Sequence, residues 1–280
     1  MISPKAPKIG PGGSRTGLAL AVLGAIVVAL PFFYAVAVSL SPPSDAFSNS
    51  FRFHFEWTNY VQIWSKAPFL RYFVNSAIVT GIVTLGTITT ATLAAYAFAR
   101  IRFLGSNLLF AATIATMMVP GHVTLIPNYL TMARFGLLDT FAGLVLPFLA
   151  SGFSVFLLRQ HFLSIPTELE DAARLDGAGS WTILWRIIVP MSRPAIGAAA
   201  LYVFLTEWNS YLWPLIATHS DSMRTIQIGL ARLANSGGGD LLIAWPVVMA
   251  AAVTVLVPTL AVFALAERQL VGGSAIQPSR

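Results

Sequence analysis

The densest group of chemically reactive side chains in this sequence lies between residues 165 and 178, inside an otherwise largely apolar chain. It contains Glu168, Glu170, Asp171 and Asp176, and Gly177 follows directly. Carboxylates at this density between two apolar runs have two interpretations. They form a solvated loop between helices, or they form a docking element that receives force from a partner in the aqueous phase.

Other reactive groups are scarce, and this limits the chemistry that the chain can perform. The sequence contains no cysteine, which excludes disulfides, thiol catalysis and cysteine-based zinc sites. The four histidines are too scattered to suggest a metal cluster, so we expect no metal, no cofactor and no enzymatic activity. The phosphate-binding pattern G-x-x-x-x-G-K-[ST] is absent, and the glycines at 237–239 lack the lysine that follows in it. If ATP drives this protein, a separate subunit must hydrolyse it.

Glu207 is the one carboxylate well inside an apolar segment, and it lies beside Trp208, Asn209 and Trp213. An acid within a membrane is costly and usually faces a cavity or a partner. Aromatic rings stack on the apolar faces of sugars, and carboxylate or amide groups bond their hydroxyls. These four residues are therefore candidates for a sugar path, and the alternative is packing between helices or an interfacial aromatic belt.

The composition indicates the class of protein that positions these groups. Apolar residues make up 56% of the 280, charged residues 10%, and the mean hydropathy is +0.74. This is the composition of a polytopic membrane protein, so we predict an all-α fold. The formal charge of +6 is concentrated in short segments beside apolar runs. That pattern indicates membrane topology and not a nucleic-acid surface.

Six apolar segments are long enough to cross a bilayer, which takes about 20 helical residues. The predicted spans are 17–40, 72–99, 106–127, 140–159, 195–216 and 244–266. They form a transmembrane domain over 17–266, between an N-terminal tail at 1–16 and a C-terminal tail at 267–280. The first span is too long for a signal peptide and lacks a small-residue cleavage site, so we expect it to be retained.

Basic residues predict the orientation of these spans. Eleven Lys and Arg residues lie on the side of the two tails, the 100–105 loop and the 160–194 loop, against six on the other side. Because cytoplasmic loops carry the excess of positive charge, both termini and the 160–194 loop are predicted to be cytoplasmic.

The 160–194 loop contains two short helical patterns. Pro166 and Thr167 can begin the first, with acids in its first turn, and Gly177 suits a left-handed cap at its end. Ala172 and Ala173 leave one face of this helix open to close approach. A second helix runs from Trp181 towards Pro190. The loop is thus predicted to be a helix–turn–helix that can enter a groove on a partner.

Several segments in the same order resemble the permease subunits of binding-protein-dependent ABC importers, in particular the second permease of the maltose type within the carbohydrate-uptake branch. The matching segments are Phe156–Gln160, Ile165–Ala178, Met118–Pro127, Gly136–Thr140, Trp208–Asn209 and Leu212–Leu215. One departure is Asp171, which stands where the "EAA" coupling loop of this family usually has glutamate.

The resemblance implies a heteromeric transporter in a bacterial inner membrane. The chain would form half of the path for a sugar or sugar derivative, beside a second homologous permease and within membrane lipid. A cytoplasmic ATP-binding-cassette dimer would dock on Glu168, Glu170, Asp171, Ala172, Ala173, Asp176 and Gly177. An extracytoplasmic solute-binding protein would deliver the sugar, and no nucleic acid is involved. The alternative function is a secondary transporter driven by an ion gradient, which would require charged residues in several spans.

Overall fold

All regular structure in the described residues is helical. The computed structural model describes residues 14–42, 55–66, 68–235 and 241–272, and no strand occurs among them. The helices, numbered in chain order, are α1 Ser14–Ser39, α2 Thr58–Lys66, α3 Phe69–Arg100, α4 Ser106–Thr116, α5 Leu125–Arg134, α6 Phe141–Val145, α7 Gly152–Ser164, α8 Glu168–Leu175, α9 Ser180–Ile183, α10 Val189–Met191, α11 Arg193–Trp208, α12 Leu212–Ala217, α13 Ile226–Asn235 and α14 Leu241–Gly272. The prediction of an all-α polytopic membrane protein is confirmed.

Three helices in the described part of the chain are long and apolar enough to cross a membrane alone. Their apolar windows are Gly17–Ser39, Phe69–Arg100 and Trp245–Ala266, and the number rises to five if each of two bent helix pairs counts as one span. The predicted third span at 106–127 is not continuous. Its helix α4 covers 11 residues, and turns separate it from α5. Pro120 and Gly121 account for this break, because proline removes a backbone donor and glycine is a poor helix former.

Two further predicted spans are also interrupted. In the segment 140–159, the helical stretch Phe141–Phe148 ends in a short 3-10 turn that contains Pro147, and it meets Gly152–Ser164 at 46°. The predicted span at 195–216 also divides, into α11 and the six-residue α12. A 79° bend separates α11 from the preceding helical segment Ser180–Met191.

The chain divides into two compact units, and the larger one covers residues 66–233 and 255–280. One of its two apolar cores joins the C-terminal half of α3 to α7, to the segment after α8 and to the start of α11. The most buried members of this core include Ala95, Leu158, Phe162, Ile183 and Ala199. The other core joins the first half of α3 to α5, α6, α11 and α12. Small residues such as Ala95 allow the helices to approach closely.

The smaller unit covers residues 1–65 and 234–254. Within it, Asn59 of α2 donates from Nδ2 to the carbonyls of Ser39 and Ser41, each at 3.0 Å. The hydroxyls of Ser39 and Tyr60 lie 2.8 Å apart. These bonds cap the C-terminal end of α1, where orphan carbonyls need donors. Much of the aromatic-rich segment 41–71, the glycines at 237–239 and most of both tails lie outside the described residues.

Candidate functional site

Helix α8 carries the acidic group found in the sequence. Its first turn contains Glu168, Glu170 and Asp171, which suits the positive end of the helix dipole. At its end, the N–H of Ala178 donates to the carbonyl of Ala173 at 2.9 Å, and the N–H of Gly177 donates to Arg174 at 3.0 Å. Gly177 has φ +82°, the left-handed conformation of a Schellman cap. The cap turns the chain sharply into the helical segment that begins at Ser180.

Glu170 and Arg100 form a buried ion pair between α8 and the end of α3. Nε of Arg100 lies 2.5 Å from Oε1 of Glu170, and their side chains are 7% and 6% exposed. The contact is electrostatic and not a well-aligned hydrogen bond. Nη2 of Arg100 also donates to the carbonyls of Phe162 and Ile165, both at 2.7 Å. One guanidinium therefore holds the ends of α3 and α7 and the start of α8 together.

The other predicted coupling residues take no part in this ion pair. Glu168, Asp171, Ala172, Asp176 and Gly177 are exposed, and Ala173 is half-buried against the core. The two adjacent acids thus have different surroundings, although the sequence suggested that they could share one role. Glu170 faces inward and positions the helix, whereas Asp171 remains available to a partner.

Apolar side chains are exposed on the same segment. Leu175 is 90% exposed and Trp181 is 65% exposed. The residues that follow turn inward, since Ile183, Leu184 and Ile188 are buried in the core with α3, α7 and α11. A π-helical turn at Leu184–Ile188 precedes Pro190, which lacks the N–H needed to continue α-helical bonding. The segment therefore has an apolar outer surface and a rigid inner connection to the membrane helices.

Trp208 and Trp213 serve packing in this structure. Both are 2% exposed. Nε1 of Trp208 donates to the carbonyl of Val255 at 3.1 Å, and Nε1 of Trp213 donates to Gly143 at 3.2 Å. Phe204 stacks on the ring of Trp208 at 5.8 Å. Neither indole offers a free face or a free N–H to a sugar, so the path proposed below does not include them.

Glu207 and Asn209, the sequence neighbours of Trp208, are more accessible than the two tryptophans. Asn209 is exposed and its Nδ2 donates to the carbonyl of Leu205 at 2.7 Å, which closes the last turn of α11. Glu207 lines a cavity of about 170 Å³ with Thr87, Tyr202 and Thr206. Among the described residues, its carboxylate has no ion pair or hydrogen bond. The structure thus brings Glu207 together with residues of α3 and of its own helix, and separates it from the two tryptophans.

Two arginines that the sequence suggested only as topology signals prove to hold the site together. Arg100 binds Glu170 as described, and Arg159 of α7 donates from Nε to the carbonyl of Phe98 at 3.2 Å. The guanidinium of Arg159 also lies 4.0 Å from the ring centre of Phe110, a cation–π contact. Their position inside or at the edge of apolar helices was the available signal, because a buried cation needs partners.

Comparisons with known proteins agree with this architecture. Residues 87–269 match the family described as binding-protein-dependent transport system inner membrane component. The sn-glycerol-3-phosphate transport system permease protein UgpE of Yersinia enterocolitica is 34% identical over 262 residues, which is 90% of this chain and 92% of that protein. The protein of the same name from Agrobacterium fabrum is also 34% identical, with the same coverage.

Among solved structures, the fold is similar to a chain of a bacterial ABC transporter involved in the import of the acidic polysaccharide alginate. The TM-score is 0.81 with 23% identity, over 94% of this chain and 99% of that chain. A second match is a bacterial alginate ABC transporter in complex with an alginate pentasaccharide-bound periplasmic protein, with a TM-score of 0.64 and 16% identity, over 90% and 92% of the two chains. The chain belongs to the family of inner membrane components of binding-protein-dependent transport systems, and it is a multi-pass membrane permease of an ATP-driven importer, a transport component and not an enzyme.

Proposed function

We propose that this permease forms half of the translocation path for a sugar or sugar derivative and is driven by a separate ATPase through residues 165–190. The complete importer would contain a second homologous permease, a cytoplasmic ATP-binding-cassette dimer and an extracytoplasmic solute-binding protein. Both termini and the 165–190 segment would face the cytoplasm, in agreement with the excess of basic residues on that side.

The observation that carries the coupling role is the contrast between the two sides of α8. Its inner side is fixed by the buried pair of Glu170 and Arg100. Its outer side exposes Leu175 and, in the following segment, Trp181, next to the exposed carboxylate of Asp171. Large exposed apolar side chains beside polar ones are typical of a protein interface. A movement imposed on this surface would pass through the ion pair and the core to α3, α7 and α11.

The sugar path is supported by the cavity beside Glu207. A carboxylate within an apolar helix is stable only if it faces water, a polar cavity or a partner. The cavity also contains the hydroxyls of Thr87, Tyr202 and Thr206, which can bond the hydroxyls of a polyol. An ion-gradient mechanism lacks comparable support, because the family is defined by its dependence on a binding protein.

Site-specific cross-linking tests the coupling role, and the natural chain suits it because it contains no cysteine. Leu175→Cys should form a cross-link to the ATPase subunit in the assembled importer, and the yield should change when ATP is bound. Phe135→Cys is a matched control, since Phe135 is 72% exposed but belongs to the loop after α5 on the opposite predicted face. Equal cross-linking of both variants to the ATPase, or none from Leu175→Cys in an ATPase-active complex, would contradict the proposal.

A further inference from the structure

The cavity beside Glu207 has an unusual balance of charge and hydrogen-bonding groups. Among the described residues that line it, Glu207 is the only charged one, and none is a lysine or an arginine. The remaining polar side chains of the lining are Thr87, Ser151, Tyr202 and Thr206. An anionic ligand needs positive charge or N–H and O–H donors to replace its water, and this lining provides no positive charge.

The threonine hydroxyls reduce the supply of donors further. Oγ1 of Thr87 donates to the carbonyl of Phe148 at 2.7 Å, and Oγ1 of Thr206 donates to the carbonyl of Tyr202 at 2.9 Å. Because each hydroxyl has only one hydrogen, both present only lone pairs to the cavity. The carboxylate of Glu207 also accepts and, when ionised, cannot donate. Three of the polar side chains that line the cavity, those of Thr87, Thr206 and Glu207, are therefore hydrogen-bond acceptors.

Ser151 and Tyr202 are the other polar residues of the lining, beside the apolar Phe148, Ala150 and Val203. Oγ of Ser151 accepts from the N–H and the hydroxyl of Ser154, both at 3.2 Å, so its own hydrogen remains available as a donor. The ring of Tyr202 packs on Phe153 with 4.5 Å between centroids and is 47% exposed. An exposed, supported aromatic ring of this kind can stack on the apolar face of a sugar.

We propose that this cavity is a selectivity subsite for sugars that carry hydroxyl or amino donors, and that it rejects phosphorylated and uronic-acid ligands. The inference rests on the proposed function and specifies its substrate class. An acceptor-rich lining binds a neutral polyol through the polyol's own O–H groups, and an ammonium group through Glu207. It offers the phosphate or carboxylate of an anionic sugar no cation and few donors. The chain would thus differ in selectivity from the relatives that are named for sn-glycerol-3-phosphate.

Uptake into proteoliposomes by the complete importer tests this inference. The probes are maltose as the neutral sugar, glucosamine as the cationic one, and sn-glycerol-3-phosphate and glucuronate as the anions. Each probe is compared between wild type, Glu207→Gln and Glu207→Lys at equal amounts of assembled complex. Because the solute-binding protein is the same throughout, the ratio between variants isolates the contribution of Glu207. Asp221→Asn serves as the control, since it removes an exposed acid outside the cavity.

We expect Glu207→Gln to lower glucosamine uptake about tenfold, and to lower maltose uptake by a smaller factor because the amide keeps one acceptor oxygen. Glu207→Lys should lower both about tenfold and raise uptake of the anionic probes. The inference is overturned if the wild type transports an anionic probe and neither variant increases that uptake, or if Asp221→Asn gives the same pattern. A different failure, in which an ATPase-active complex transports none of the probes in any variant, would instead remove the proposed sugar function.

Discussion

The ion pair between Arg100 and Glu170 provides the sharpest test of how the 165–190 segment is held. The two side chains are only 7% and 6% exposed, so solvent screens the pair only weakly. Removing one member of a buried pair leaves an uncompensated charge, at a cost of about 3–5 kcal/mol. For a chain of this size that corresponds to a fall of roughly 6–20 °C in melting temperature. We therefore expect Glu170→Ala to lower the thermal stability of the purified importer within that range.

Removal of both charges should cost less than the sum of the two single changes. Arg100 also donates to the carbonyls of Phe162 and Ile165, so Arg100→Met should be the more damaging single variant. In the double variant no unpaired charge remains, and a double-mutant cycle should give a coupling energy of at least about 1 kcal/mol. Asp171→Ala is the matched control, because its exposed carboxylate should change stability by less than about 0.5 kcal/mol.

The assay has two measurements, melting of the purified complex and uptake per assembled complex. Glu170→Ala should lower both, because a loosened α8 no longer transmits movement to α3 and α7. Asp171→Ala should leave melting unchanged and reduce only the coupling between ATP hydrolysis and uptake. A loss below 1 kcal/mol for Glu170→Ala, or a coupling energy near zero, would refute the positioning role of this pair.

Three further predictions follow from single positions. Burial alone would raise the pKa of Asp139, but hydrogen bonds from the backbone of His219 and from Ser220 hold it below its ordinary value. The stabilisation that these hydrogen bonds give is present above the ordinary pKa of Asp and is lost as pH falls through the lower pKa of Asp139 in the folded protein. The difference in melting temperature between wild type and Asp139→Asn should therefore shrink from pH 7 towards pH 3. Gly177→Val should lower the free energy of unfolding by about 1 kcal/mol or more and weaken association with the ATPase. Gly177→Asn should have a mild effect, because Asn tolerates positive φ and no atom lies within 4 Å of the added Cβ. Equal binding of the ATPase by both variants would argue against the role of the cap. Trp208→Phe removes the hydrogen bond to Val255, so it should lower the free energy of unfolding by about 1 kcal/mol without changing uptake per complex. A loss of uptake at unchanged stability would instead indicate that Trp208 contacts the sugar.

The fold was predictable from the sequence because hydropathy in a membrane chain is a strong signal, while the shape of individual spans was not. The apolar windows of α1, α3 and α14 follow directly from composition. In the segment 106–127, hydropathy continues past Thr116 although the helix ends there. Window averages do not register that Pro120 and Gly121 interrupt backbone hydrogen bonding. Local backbone chemistry therefore decides where an apolar run stops being one helix.

The candidate sites show why neighbours in sequence are poor guides to a shared surface. Successive residues of an α-helix lie about 100° apart around its axis, because a turn takes 3.6 residues. Glu207 and Trp208 consequently face different surroundings, the first a polar cavity and the second a packed core. Tyr202, Val203, Thr206 and Glu207 have the i, i+1, i+4, i+5 spacing of a single helix face, and all four line the cavity, whereas Trp208 lies beyond that face. The same geometry separates Glu170 from Asp171 on α8, so that one acid is buried in an ion pair and the next is exposed.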